Sequence, residues 1–158
     1  MMWKPVTLLA ASLLLALSAA PVRAEEEADT AVLLEAIRAN RKALVAVNLG
    51  LTAEEDKKFW PVYDAYEKQM NVLQDRLVKV IEDYIASFAD LGDDKAMQLV
   101  KEYLAIDAER VKVKQENLPA FAAVLPGRKV ARFYQIENKM DAVVRFKLAE
   151  TIPVVEKP

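Results

Sequence analysis

The segment NLGLTAEEDKKFWPVYDAY, residues 48–66, decides the fold, because it holds the end of one helix and the start of the next. Gly50 closes the first as a residue that takes the left-handed conformation without a Cβ penalty. Thr52 and Glu55 then have the spacing of a capping box. The threonine hydroxyl accepts from the Glu55 N–H, and the Glu55 carboxylate accepts from the Thr52 N–H. Such a cap is worth about 1 kcal/mol and fixes where a helix begins. Phe59, Tyr63 and Tyr66 follow at helical spacing around Pro61, with Trp60 beside them.

Outward from this segment the same pattern repeats. The chain has three glycines, at 50, 92 and 127, and each separates long stretches of helical periodicity. Gly92 reads as a second left-handed terminator and Pro126-Gly127 as a third break. The spacing predicts four helices, at roughly 29–48, 53–90, 94–124 and 127–151, in an all-α fold with connections too short for anything but neighbouring helices. In the second helix Phe59, Tyr63, Tyr66, Met70, Leu73, Leu77, Val80 and Tyr84 alternate steps of four and three, which is a heptad seam. Leu33, Ile37, Asn40, Leu44 and Val47 give a shorter seam in the first helix. The third has Met97, Val100, Leu104, Asp107, Val111, Lys114, Leu118, Phe121 and Leu125. In the fourth, apolar residues from Val130 to Leu148 occupy more than one stripe, so two surfaces need covering.

At 1.5 Å per residue the second helix would be about 57 Å long and the third about 46 Å. A compact domain of residues 25–158 would be only about 36 Å across. The expected molecule is therefore a long antiparallel helical hairpin, elongated and bent at Pro61 and Pro119, where each proline removes a helical donor. Long helices in a thin layer leave apolar surface uncovered, and such surface marks a partner or a subunit interface.

Residues 1–24 read as a secretory signal peptide: Lys4 supplies the charged start, Val6 to Ala20 the apolar run, and Val22-Arg23-Ala24 the cleavage pattern. The apolar run is shorter than the roughly 20 residues of a spanning helix, so no stable membrane insertion is expected after cleavage. A single all-helical domain, 25–158, is expected in a bacterial periplasm. The chain contains no cysteine, so apolar packing must hold the fold. The whole sequence has 22 basic and 24 acidic residues. Residues 25–100 are acidic on balance and 101–158 basic, a division that favours complementarity within or between subunits over nucleic-acid binding.

With no histidine or cysteine, and Ser87 the only serine after residue 24, the usual nucleophilic triads are excluded and zinc, copper and haem lose their usual ligands. No metal, cofactor or catalytic residue is expected. The acidic runs Glu25-Glu26-Glu27, Glu54-Glu55-Asp56 and Asp93-Asp94 suit a solvated terminus and helix starts, where the macrodipole favours negative charge. Glu137 stands on or beside an apolar face and needs a partner. Two readings remain: an ion pair with a base such as Arg110 or Lys114, or a titrating functional acid. Trp60, Tyr63, Tyr66, Phe133 and Tyr134 are candidate apolar contacts for a protein client, with Arg110, Lys114, Arg128, Lys129 and Arg132 as steering charges. The alternative places the bases on a solvated face and the rings beneath neighbouring helices.

The layout resembles the Spy/CpxP family of small periplasmic chaperones and stress-response regulators, recognised by a Leu-Thr-x-x-Gln helix start after a signal peptide. Leu51-Thr52-Ala53-Glu54-Glu55 matches that motif with glutamate for glutamine. Leu125-Pro126-Gly127-Arg128-Lys129 stands where a second copy occurs and keeps only its leucine. The resemblance implies a homodimer of long bent hairpins that binds unfolded envelope proteins without ATP. Metal-responsive relatives use histidines that this chain lacks. A dedicated adaptor, or an inhibitory partner of an envelope sensor, is the alternative function, and a carboxylate-based enzyme a more distant one.

Overall fold

A computed structural model describes residues 32, 36 and 39–155, and the expected signal peptide lies outside the described residues. Among the described residues the secondary structure is helical throughout, without strands. Helix α1 is described at 39–49. It is followed by α2 (Ala53–Ser87), a 3-10 turn (Phe88–Asp90), α3 (Asp93–Val124) and α4 (Gly127–Thr151). The 35 residues of α2 and 32 of α3 correspond to about 52 and 48 Å of helix, so the long-hairpin architecture stands.

The capping box is present: Thr52 N donates to Glu55 Oε2 at 2.7 Å, and Glu55 N to Thr52 Oγ1 at 3.3 Å. Gly50 has φ +66°, the left-handed turn that separates α1 from α2. Gly92 departs from expectation. It has φ −78° and ψ 158° and is the N-cap of α3, because the 3-10 turn has already ended the preceding helix. Gly127 is the first residue of α4, and Pro126 is its cap, accepting from Lys129 N and Val130 N. Proline suits that place, since its missing N–H would have had no helical partner.

Ion pairs between successive helices give their order. Arg76 on α2 reaches Glu102 and Glu109 on α3. Asp107 and Lys114 on α3 meet Arg145 and Asp141 on α4. Arg41 on α1 meets Glu137 and Asp141 on α4, and Lys42 meets Asp64 on α2. Each pair is antiparallel, and the four helices close on one another as an up-down bundle.

The core starts from the aromatics of the opening segment. Phe59, Tyr63, Tyr66, Phe121 and Phe133 are all enclosed, and the Phe121 and Phe133 ring centroids are 4.4 Å apart. Val45 and Leu49 close this cluster from α1, while Met70, Leu73, Ile106, Val113 and Met140 continue it. Toward the other end, Ile81 and Ile85 of α2 pack with Val144 and Leu148 of α4.

The α2 seam holds from Phe59 to Leu73 and then shifts to Ile81 and Ile85. The seams of α1 and α3 are corrected in part: Leu33 and Ile37 lie outside the described residues, and Phe121 and Leu125 of the expected α3 seam are buried. Leu44 and Val47 face outward, and α1 instead buries Val45 and Leu49. On α3 the core stripe is Leu99, Ile106, Arg110, Val113 and Phe121. Met97, Val100, Leu104, Val111 and Leu118 are between 45% and 58% exposed. Two apolar lines with a seven-residue repeat run along α3, and the one through Leu99, Ile106 and Val113 faces inward; Phe121, near the end of the helix, joins the aromatic cluster.

Candidate functional site

The structure divides the ten candidate contact residues into core, cluster and surface. Tyr63, Tyr66 and Phe133 are enclosed and give a client nothing to touch, so their expected role as surface contacts is corrected by burial. Tyr134 is half-buried and donates its hydroxyl to the Lys114 carbonyl at 2.7 Å. Trp60 is half-buried, donates to Asp56 Oδ1 at 2.6 Å and lies beneath Lys42 Nζ at 5.2 Å. Lys129 pairs with Glu55 and donates to the Gly50 carbonyl, while Arg132 donates to the Asn48 carbonyl. These two bases fasten α4 to the α1–α2 turn. Arg128 is exposed. Tyr134, Trp60, Lys129 and Arg132 therefore serve to join helices.

Arg110 and Lys114 belong to a buried ionic cluster between α1, α3 and α4. Glu137, at 0% exposure, accepts from Arg41 at 3.3 Å (Nε to Oε1) and 2.8 Å (Nη2 to Oε2). It also accepts from the Tyr66 hydroxyl at 3.0 Å. Its partner is thus Arg41 and not the expected Arg110 or Lys114. Those two turn to Asp141, one helical turn on: Lys114 Nζ donates to it at 2.8 Å, and Arg110 Nη1 lies 3.7 Å away. Arg41 bridges both acids, donating to Asp141 at 2.8 Å as well.

Electrostatics follow from this geometry. Burial pushes the Asp141 carboxyl up, but the charges of Arg41 and Lys114 outweigh it and hold the group below its ordinary range. Burial, then the Glu137 charge, push the Tyr63 and Tyr66 hydroxyls far above theirs, so both stay protonated. With Glu137 saturated by Arg41 and Tyr66 and closed to solvent, its geometry is that of a structural ion pair. Among the described residues no group of three acidic residues is placed to hold a metal ion.

Among the described residues, two open apolar features involve α3. One is the outer stripe of α3. The other is a groove of about 520 Å³ between α2, α3 and α4, lined by apolar residues such as Leu77, Leu99, Val144 and Leu148, with Arg110 and Asp141 also on its wall. Sequence reasoning missed Arg41 and Asp141 as cluster members. The signal for Arg41 was its i, i+4, i+8 spacing with Val45 and Leu49, which puts all three on one face.

No family model, curated protein or solved structure matches this chain.

Proposed function

We propose that the chain is a non-enzymatic periplasmic binding protein whose outer α3 face receives an apolar helical segment of another protein. The observation that carries this reading is the exposed series Met97, Leu104, Val111 and Leu118, spaced every seven residues with Val100 alongside. That repeat runs for about 31 Å along the helix. It is the repeat by which one helix packs against another in a coiled coil, and contiguous apolar surface of this kind is characteristic of interaction sites. Saturation of Glu137 by Arg41 and Tyr66 supports a role without proton transfer.

Shielding of unfolded envelope proteins, implied by the family resemblance, is the broad form of this reading; recognition of one dedicated partner, or of a second copy in a homodimer, is the narrow form. The regular seven-residue spacing favours the narrow form, since unfolded clients present no fixed repeat. The test is light scattering from a denatured client diluted into the protein without nucleotide, beside sedimentation over a wide concentration range. Suppression lost in Leu104→Glu and Val111→Glu supports shielding. A dimer that the same changes dissociate assigns the stripe to a second copy. If neither property exists, or neither responds to the changes, the α3 reading falls unless a saturable helical partner is captured whose binding they abolish.

A further inference from the structure

We infer that the groove between α2, α3 and α4 is a binding site for a long-chain carboxylic acid, with Arg110 as the residue that receives its head group. The inference rests on a charge imbalance beside an apolar cavity; the cavity shares Val100 with the outer α3 surface but does not depend on what that surface binds.

Five ionic groups meet in the buried cluster: Arg41, Arg110 and Lys114 against Glu137 and Asp141. Three cations face two carboxylates. Glu137 is taken by Arg41 and Tyr66, and Asp141 receives Arg41 and Lys114 at hydrogen-bonding distance. Arg110 is the remainder. Its side chain is 10% exposed, its one ion-pair contact is the 3.7 Å approach to Asp141, and its Nε is enclosed without a hydrogen-bond partner. The other charged pair on the groove wall, Arg145 with Asp107 at 2.7 Å, is already balanced.

A guanidinium presents a planar fork of donors that matches a carboxylate in two places. Buried charge left without such a partner is costly, and an anion arriving at Arg110 would relieve that cost. Beyond this head-group position the groove is overwhelmingly apolar, and its volume falls in the range of small-molecule sites. Leu77, Leu99, Val144 and Leu148 offer a tail nothing to hydrogen-bond and much apolar area to cover. One cationic end and one long apolar wall select an anionic amphiphile: a charged small metabolite would leave the wall wet, and a neutral lipid would leave Arg110 with only its 3.7 Å approach to Asp141.

The test is titration calorimetry of the purified protein with palmitate, below its aggregation concentration, against hexadecanol and the hexadecyltrimethylammonium cation. Thermal unfolding is followed in parallel. Palmitate is expected to bind one to one and raise Tm, and both tail-matched controls to bind at least tenfold more weakly. Arg110→Met is expected to weaken palmitate at least tenfold while matching or exceeding the Tm of the unliganded wild type, because it removes the unbalanced charge. Val144→Trp, which fills the groove and leaves the cluster intact, should also reduce palmitate binding. Absence of palmitate binding, equal affinity for hexadecanol, or an Arg110→Met protein that binds palmitate unchanged would each overturn the assignment. Binding to phosphatidylglycerol vesicles without binding of monomeric palmitate would overturn it in favour of a membrane surface. If Arg110→Met fails to fold, the Val144→Trp variant and the head-group comparison decide the matter.

Discussion

The Tyr66 hydroxyl donates to Glu137 Oε2 at 3.0 Å, joining the middle of α2 to a carboxylate on α4 from which solvent is excluded. A tyrosine in an aromatic seam thus does two things at once: its ring meets Phe121 and Phe133 edge-on, and its hydroxyl completes the shell of a buried acid. Because Arg41 still holds the acid, Tyr66→Phe should cost only about 1.5 kcal/mol, the worth of one hydrogen bond to a charged group. Urea unfolding should show a lower midpoint with an unchanged slope.

Removing the acid is a larger disturbance. Glu137→Ala would leave Arg41 buried with only Asp141, which Lys114 already shares, and would strand the Tyr66 hydroxyl. Breaking one side of a buried ion pair typically costs about 3–5 kcal/mol. The double change Arg41→Met with Glu137→Leu should cost less than the sum of its single variants, since neither charge is then left alone. Denaturant unfolding of the four proteins measures the difference; strict additivity would show that the pair is not coupled.

The cluster also sets the pH range. Asp141 has a lowered value in the folded chain, so the stability it contributes is complete above the ordinary aspartate value, about 3.9, and disappears as pH falls through the lower folded value. Tyr63 and Tyr66 have raised values. Their contribution is complete below about pH 10, where the unfolded chain's tyrosines are also protonated, and is lost as pH rises beyond it. Unfolding midpoints should therefore decline below pH 4 and above pH 10. Asp141→Asn should flatten the acid limb, and Tyr63→Phe with Tyr66→Phe the alkaline one.

The first half of the α2 seam and the capping box were legible because local chemistry alone decides them: Thr52 and Glu55 contact each other, and Phe59, Tyr63, Tyr66, Met70 and Leu73 follow at steps of four and three, all buried. The α3 register was not. Met97, Leu104, Val111 and Leu118 make a more uniformly apolar line than Leu99, Ile106, Arg110 and Val113, yet the latter faces inward. The buried Arg110 reaches only to within 3.7 Å of Asp141, which lies on another helix, and no local pattern announces that contact. Burial of Tyr63, Tyr66 and Phe133 was illegible as well, since periodicity identifies an apolar face without saying whether a neighbouring helix or a partner covers it.

That register can be tested by a pair of alanine substitutions two residues apart on α3. Ile106→Ala empties space in the enclosed core and should cost about 2–4 kcal/mol. Leu104→Ala, on the outer stripe, should change the stability of the monomer by about 0.5 kcal/mol or less. Equal losses, measured at a concentration where the protein is monomeric, would mean that the outer stripe is covered from within the chain.

The two interhelical glycines differ in what they require of the backbone, and substitution should separate them in sign. Gly50 holds φ +66° with open space where a Cβ would stand, so Gly50→Ala meets no clash but must adopt the left-handed conformation, at a cost of about 1–2 kcal/mol. Gly92 has the extended backbone that any residue adopts, also with open space around it, and it caps α3 without a side chain to accept from the first turn. Gly92→Ser supplies that acceptor and reduces the freedom of the unfolded chain, so it should stabilise by a few tenths of a kcal/mol or more. Thermal melts of the two variants should move in opposite directions; a loss of stability in Gly92→Ser would show that α3 does not begin at Asp93 in solution.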